Sequence, residues 1–254
     1  YDDFGDQALS ALTSAFEAGT VVIPYIGVPS GGKVGINYNG QVAYDFAAEG
    51  VTMAQWMSKL APKGSTVIFT GGLETGSTST QALYEGASGE NKKLGDPFVL
   101  AGGAPIASGW DPAYMQQAMT GILAKYPDFK GWMSDYGAAD LGGLRAMVAA
   151  GVKIPARATS ATNNELGCFW LEQHEANPDF QLLTLDESTT VVRIAGRKAL
   201  AAVNKLADNE PELFSLPVFI DTVNGKLPTC NKDLPGDADL SSGLSDDQLK
   251  KLFK

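Results

Sequence analysis

The stretch that decides the fold is VIFTGGLETGST at residues 67–78, in which an apolar triplet leads into a glycine-rich segment. A helical pattern follows, so the stretch predicts a buried strand, a tight loop and a helix, the repeating unit of a parallel α/β sheet. The spacing of Gly71 and Gly76 approaches that of a nucleotide P-loop. Ser77, however, stands where that loop needs its lysine, and Glu74 adds a negative charge. The stretch therefore predicts a strand-to-helix turn rather than a nucleotide site.

Apolar segments and amphipathic segments alternate along the chain around this stretch. Predicted strands cover residues 21–23, 33–36, 66–70, 97–101, 131–134, 154–158, 180–185 and 216–222. Predicted helices cover residues 6–18, 41–60, 78–88, 112–126, 138–150, 164–176 and 190–206, with a short final helix that starts after Ser245 and ends at Lys254. Right-handed crossovers place helices on both faces of such sheets, so this order predicts parallel sheets that bind ligands at the carboxyl ends of their strands.

Composition restricts the classes of partner. The chain has 254 residues, 44% of them hydrophobic, and a formal net charge of −10. This charge opposes nucleic acid binding, which is built from Lys and Arg contacts to phosphates. No segment approaches the roughly 20 apolar residues of a membrane span, so we expect no membrane insertion. The start at Tyr1 carries no signal peptide pattern, and we expect a processed or trimmed product.

The two cysteines, Cys168 and Cys230, do not form a CxxC pair. This spacing excludes zinc ribbons and thioredoxin-like chemistry. Two alternatives remain at this stage. The cysteines are two free thiols of a cytosolic protein, or they form one disulfide in an exported protein.

The residues that usually carry catalysis are missing from the pattern. His174 is the sole histidine and lies on the polar side of a predicted helix, which is typical of a solvated residue. No Gly-x-Ser-x-Gly elbow follows a strand, and no Gly-x-Gly-x-x-Gly motif has an acidic residue about 20 positions later. We therefore predict a protein that is not an enzyme, with no cofactor and no metal.

Polar and aromatic side chains recur where predicted strands end. They are Glu74, Thr75, Gln81, Trp110, Asp111, Asp135, Tyr136, Asn163 and Asn164. Carboxylates and amides bind sugar hydroxyls, and an aromatic face packs against the C–H side of a sugar ring. Each residue also has a structural interpretation, since Asp135 or Asn163 could cap a helix and Trp110 could be a core residue. Four strand ends with the same chemistry favour a binding cleft.

The ordered series of segments resembles a type I periplasmic solute-binding protein of the ribose- and galactose-binding class that serves ABC transporters. The matching segments are AGTVV (18–22), residues 34–40, WD (110–111), YPDFKG (126–131), LGGLRA (141–146) with AG (150–151), and residues 240–252. The resemblance implies an α/β fold with two Rossmann-like parallel-sheet lobes joined by a three-segment hinge. It assigns residues 1–37 and 187–217 to the N-terminal lobe, and residues 38–186 and 218–254 to the C-terminal lobe.

The resemblance also implies roles for individual residues. Trp110 takes the position of a ring-stacking aromatic, and Asp135 with Tyr136 takes that of a hydroxyl partner. Asn163 or Asn164 takes a position at which members of this family usually have an aspartate. Gln81, beside the loop that contains Glu74, lies near the position at which they often have an arginine. The third crossing adds Glu187.

The chain departs from the pattern of this family in two places. Tyr25-Ile26-Gly27 replaces a usual aspartate, and the βαβα segment that normally opens the first lobe is lacking, so we expect that lobe to be incomplete and to leave strand edges unpaired.

These features together predict a substrate-binding component of an ABC transporter. It would bind a monosaccharide or related polyol by hinge closure and deliver it to a membrane permease, in the periplasm or another extracytoplasmic location. An alternative function on the same fold is the sugar-sensing effector domain of a regulator or sensor. An enzyme built on a doubly wound sheet is a third alternative.

Overall fold

A computed structural model describes residues 5–253. The helices are α1 (Leu9–Glu17), α2 (Phe46–Met57), α3 (Thr78–Lys93), α4 (Pro112–Lys125), α5 (Gly137–Ala149), α6 (Asn164–Gln173), α7 (Thr189–Val203) and α8 (Asp246–Leu252). The strands are β1 (Tyr25–Ile26), β2 (Val42–Tyr44), β3 (Thr66–Thr70), β4 (Val99–Leu100), β5 (Gly131–Ser134), β6 (Ala156–Ser160), β7 (Leu182–Leu185), β8 (Leu213–Phe214) and β9 (Val218–Asp221). Residues 1–4 and 254, including the outer ends of both predicted lobes and of the final helix, lie outside the described part.

The larger sheet has the strand order β4-β3-β5-β6-β7-β9. Its neighbouring strands are parallel except for β9, which pairs antiparallel with β7. Successive side chains of a strand point to opposite faces, and both faces are apolar here. Ile68 and Trp132 face one core with α4, α5 and α6, whereas Phe69 and Met133 face the other core with α2 and α3. The strands are therefore nearly continuous apolar runs, as the sequence predicts for a doubly covered sheet.

Glycines allow the helices to pack closely on each face of this sheet. A Cβ atom at Gly50 of α2 would lie 2.0 Å from the Leu83 carbonyl oxygen of α3, and one at Gly86 would lie 2.2 Å from the Ala47 carbonyl oxygen. On the opposite face, a Cβ atom at Gly142 of α5 would lie 1.7 Å from the Pro112 carbonyl oxygen. Each helix pair therefore touches backbone to backbone, which a larger residue prevents.

The smaller sheet contains three short parallel strands in the order β1-β2-β8 among the described residues. Helix α7 packs on it through Val191, Ile194 and Ala195, which are buried. Tyr44 at the end of β2 and Leu216 after β8 belong to the same apolar cluster.

Three local predictions near the N-terminus are wrong. Residues 21–23 form no strand, because the Asn39 side chain accepts a hydrogen bond from the Val22 N–H at 2.7 Å and replaces a neighbouring strand. Residues 33–36 form only an isolated bridge between Val34 and Tyr38. The predicted helix at 41–60 divides into β2 and α2, because the Asp45 carboxylate caps α2 at the Ala48 N–H.

Strand β2 belongs to the smaller sheet. The predicted division after residue 37 would therefore separate residues 42–44 from their partner strands, β1 and β8. We propose that the first crossing instead follows Tyr44. Strand β8 lies in the smaller sheet and β9 in the larger one, on either side of the predicted division after residue 217.

The C-terminal segment, residues 226–253, lies against α6. A disulfide joins Cys168 of α6 to Cys230, so the disulfide alternative is the one present in the structure. The Asn164 amide group donates to the Asn231 carbonyl oxygen at 2.8 Å, which holds the same segment. Helix α8 then begins with a capping box formed by Ser245 and Gln248. In the described part of the chain, no helix has both the length and the apolar character needed to cross a membrane.

Candidate ligand-binding cleft

A cavity of about 510 Å³ lies between the two sheets, at the carboxyl ends of their strands. Its lining comes from both sheets and from the segments that connect them. The lining residues are Ile26, Tyr44, Phe46, Ser79, Trp110, Asp135, Tyr136, Ser160, Ala161, Ser188, Thr189, Val192 and Leu216. Aromatic rings and hydroxyl groups dominate this set, and Asp135 is its one ionisable carboxylate.

Asp135 is held by the glycine-rich loop that follows β3. The Gly72 N–H donates to Asp135 Oδ2 at 3.1 Å, and the Thr80 hydroxyl donates to the same oxygen. The Trp110 indole Nε1–H is a third donor at 3.1 Å. A Cβ atom at Gly71 would lie 2.5 Å from Asp135 Cγ, so only glycine permits this approach. The loop that resembles a phosphate site therefore surrounds a carboxylate that the chain itself supplies.

The two oxygens of Asp135 differ sharply. Oδ2 accepts all three donors named above, whereas Oδ1 is buried and has no hydrogen-bond partner in the described part of the chain. Burial raises the pKa of Asp135 to about 6, against the opposing effect of the hydrogen bonds from Thr80 and Trp110. Oδ1 therefore has acceptor capacity that the described residues leave unused.

Glu49 lies on α2 and is 2% exposed. Both of its carboxyl oxygens are buried, and neither has a hydrogen-bond partner among the residues that the structure describes. Burial raises its pKa to about 8, with added repulsion from Asp45, Asp186 and Asp135, while Ser160 of the cavity opposes the shift. This shift favours the protonated acid at neutral pH, and the pattern of α2 gave no signal for Glu49 beyond its position four residues after Asp45.

Trp110 lies where the cleft cavity meets an adjoining cavity of about 420 Å³. Its backbone has a φ of 52°, a conformation that non-glycine residues adopt rarely. The neighbouring Asp111 carboxylate caps α4 at the Tyr114 N–H, at 2.7 Å, and fixes the end of this turn. Trp110 is half-buried and lines both cavities, and its role as a ligand contact stays a prediction.

The two asparagines have separate positions. Asn163 caps α6 by accepting from the Leu166 N–H at 3.0 Å, and it lines the adjoining cavity with Trp110 and Tyr136. Asn164 is buried outside both cavities, where its amide donates to backbone oxygens of residues 231, 234 and 235. Its role in the structure is to hold the C-terminal segment.

Three other predicted site residues lie outside the cleft cavity. Gln81 is exposed on α3 and donates to Glu85 at 2.8 Å. Glu74 accepts a hydrogen bond from the Tyr114 hydroxyl at 2.5 Å on the outer side of the loop.

Glu187 has a φ of 114°, and its N–H donates to Asp186 and Ser241. The third crossing supplies Ser188 and Thr189 to the cavity instead.

Sequence reasoning missed the side of the cleft formed by the smaller sheet. Tyr44 and Phe46 were placed inside one long predicted helix, which concealed their position at a strand end. Ser160 was missed because the predicted strand stopped at residue 158, two residues early. The signal available for this part of the site was the order Tyr44-Asp45-Phe46, in which a polar residue lies between two aromatic residues.

Comparison with known proteins supports the fold through solved structures. No family model matches the chain, and no curated protein matches it either. A solute-binding protein of an ABC transporter from Agrobacterium vitis, with bound D-fucose, is 18% identical, has a TM-score of 0.67, and is covered over 70% of its length by 85% of this chain. A Caulobacter myo-inositol binding protein with bound myo-inositol is 20% identical, has a TM-score of 0.67, and is covered over 71% of its length by 85% of this chain.

A periplasmic solute-binding protein from Actinobacillus succinogenes 130z, with bound D-allose, is 20% identical, with a TM-score of 0.62, 83% of this chain covered and 71% of that one. The chain therefore has the fold of type I periplasmic solute-binding proteins. The predicted fold class, with two parallel-sheet lobes, is confirmed. Among the described residues, no group of three or more His, Cys, Asp or Glu side chains could hold a metal ion.

Proposed function

We propose that this protein is the substrate-binding component of an ABC transporter, located outside the cytoplasm, and that it binds a monosaccharide or related polyol between its lobes. The observation that carries the proposal is the cleft itself. Trp110 lines it, and Asp135 has one buried acceptor without a hydrogen-bond partner among the described residues. Solved structures with this fold hold D-fucose, myo-inositol and D-allose.

The polar lining suits a ligand with several hydroxyl groups. Ser79, Ser160, Ser188 and Thr189 surround the cavity with hydroxyls that can both donate and accept. Aromatic rings cover the apolar faces of a pyranose or cyclitol ring. A volume of about 510 Å³ exceeds the needs of one monosaccharide, so ordered water or lobe closure would complete the fit.

The segments that connect the lobes are linked to one another. The Tyr44 hydroxyl at the first crossing donates to the Ser188 carbonyl oxygen at 2.6 Å. The Asp186 N–H, at the crossing just before Glu187, donates to the Pro217 carbonyl oxygen at 3.0 Å, at the crossing between β8 and β9. These bonds support a hinge at which ligand contacts from both lobes stabilise the closed form and present it to a permease. The disulfide supports an oxidising compartment.

Thermal unfolding with a panel of pentoses, hexoses, deoxysugars and polyols tests the proposal, with ATP as the control compound. A ligand at 100 times its Kd stabilises the native state by about 2.7 kcal/mol. For a chain of this size we expect a rise in Tm of roughly 5–10 °C. A selective rise with one compound supports sugar binding. A cooperative transition that no compound shifts would contradict the proposal.

Trp110 provides the residue-level test of the same proposal. We expect Trp110→Ala to weaken binding of the best sugar by about tenfold or more, because the ring face and the donor to Asp135 are both lost. The matched control is Trp110→Phe, which keeps a ring but no N–H and should bind with intermediate affinity. Isothermal titration calorimetry measures both variants. Equal affinities for the wild type and Trp110→Ala would remove Trp110 from the site.

A further inference from the structure

The charge of the cleft is one-sided. Asp135 lines the cleft cavity, and Asp237, Asp239 and Glu165 line the adjoining cavity, which shares Trp110 with it. Among the described residues, no Lys, Arg or His lines either cavity. A ligand that enters this cleft therefore meets carboxylates with no cation between them.

The arginines on the elements that line the two cavities have other partners. Arg157 lies in β6 with its side chain fully buried, paired with Asp140 and stacked on the Trp132 ring. Arg193 of α7 donates to the Ser242 carbonyl oxygen and the Thr190 hydroxyl. Arg145 pairs with Glu165, which offsets one of the carboxylates of the adjoining cavity. The remaining negative charges are those of Asp135, Asp237 and Asp239.

Asp135 itself has unused acceptor capacity. Asp135 is half-buried, and among the described residues its Oδ1 has no hydrogen-bond partner although its Oδ2 has three. Leaving a buried carboxylate oxygen without a donor is costly, and a charged donor would compensate it best. A further unpartnered oxygen, Asp239 Oδ2, lies on the wall of the adjoining cavity.

Aromatic rings complete the environment. Trp110, Tyr136, Tyr44 and Phe46 line the cleft cavity, beside the carboxylate. Ring faces attract an ammonium group through their quadrupole, most strongly when the group is desolvated. A carboxylate combined with several ring faces is the chemistry that selects a protonated amine over a neutral hydroxyl.

We propose that the natural ligand carries a protonated amine on its ring, as an amino sugar or an amino polyol does, with the amine directed to Asp135. This inference rests on the proposed function and specifies its ligand class. The hydroxyl groups of Ser79, Ser160, Ser188 and Thr189 would bind the remainder of the ring. A uronic acid or a sugar phosphate is disfavoured by the same charges.

Isothermal titration calorimetry with matched ligands tests the inference. The probes are D-glucosamine, N-acetyl-D-glucosamine, D-glucose and D-glucuronate, with the corresponding galactose set and with an amino-inositol against myo-inositol. We expect at least one amine to bind about tenfold or more tightly than its neutral relatives, and the acid to bind weakest. The preference should fall as salt is raised.

Variants separate a specific contact from the overall negative charge. Asp135→Asn should reduce the preference for the amine about tenfold, while circular dichroism reports whether the variant folds. Asp239→Asn, at a partly exposed position, gives a second variant with a smaller loss in the same direction. The matched control is Asp128→Asn, an exposed carboxylate outside both cavities, which should leave the preference unchanged.

The outcomes are distinguishable. Neutral sugars that bind as tightly as their amines in every series would overturn this inference and leave the proposed function standing. Absence of binding by every sugar, amino sugar and polyol would overturn both. A preference for the amine that Asp128→Asn reduces as much as Asp135→Asn does would also overturn the assignment to Asp135.

Discussion

The Asp135 carboxylate occupies the place at the glycine-rich loop that a bound anion takes in a phosphate site. Gly71 and Gly72 have no side chains, so the carboxylate that follows β5, the neighbour of β3 in the sheet, can reach the loop backbone. In a phosphate site the same backbone N–H would face a bound anion. Here the anion is built in, and its second oxygen has no hydrogen-bond partner among the described residues.

Glu49 gives a prediction at this scale. Its pKa is raised from 4.5 to about 8, so between these values the folded chain keeps a proton that the unfolded chain releases. The free energy of unfolding therefore falls as pH rises, by about 1 kcal/mol per pH unit for this one group. We expect Glu49→Gln to remove this contribution. The free energy of unfolding of the variant, relative to that of the wild type, should therefore increase steadily from pH 5 to pH 8. Urea unfolding at several pH values measures the difference.

The control for that comparison is Glu172→Gln, at an exposed position on α6. Its free energy of unfolding should follow the wild-type pH profile. A Glu49→Gln variant that differs from the wild type by the same amount at pH 5 and pH 8 would show that Glu49 does not hold a proton in the folded state.

At the scale of elements, the close contact of α2 with α3 depends on which residues lack a side chain. Gly86 faces the Ala47 carbonyl oxygen, whereas Gly89 on the same helix has no atom within 4 Å of a Cβ position. Both residues lie inside α3, where helix propensity alone disfavours glycine. Tertiary packing therefore decides the effect of the same substitution at two positions one turn apart.

This pair makes a matched prediction. We expect Gly89→Ala to raise the free energy of unfolding by about 0.5–1 kcal/mol, because alanine is the better helix former and meets open space. Gly86→Ala should lower it by about 1–3 kcal/mol, because α2 and α3 must separate to admit the methyl group. Denaturant unfolding of both variants measures the signs. Stabilisation by both substitutions would refute the close backbone contact.

At the scale of the whole molecule, the chain passes back and forth between the sheets. After β8 of the smaller sheet, it re-enters the larger sheet at β9. Strand β9 completes the larger sheet, and the segment that follows is tied to α6 by Asn164 and by the disulfide. The disulfide links residues 62 positions apart, and a loop of that length loses considerable entropy when it is closed in the unfolded chain.

Removing the disulfide should therefore destabilise the molecule. We expect the double variant Cys168→Ala with Cys230→Ala to lose about 2–4 kcal/mol of unfolding free energy. Reduction of the wild type by dithiothreitol should give a similar loss, and the reductant should not affect the double variant, which serves as the control. A wild type whose unfolding is insensitive to the reductant would contradict a stabilising disulfide.

The sequence by itself determined the larger sheet, because its strands are continuous apolar runs between amphipathic helices and each signal is local. It also pointed to Trp110, Asp135 and Tyr136, which follow strands whose carboxyl ends meet at one edge. Only the tertiary structure decided the rest of the site. Tyr44 and Phe46 reach the cleft because β2 pairs with β1 on one side and, on the other, with β8, which is distant in sequence. Asn164 and Gln81 lie outside it because helix packing and the C-terminal segment, rather than proximity along the chain, fix where a side chain points.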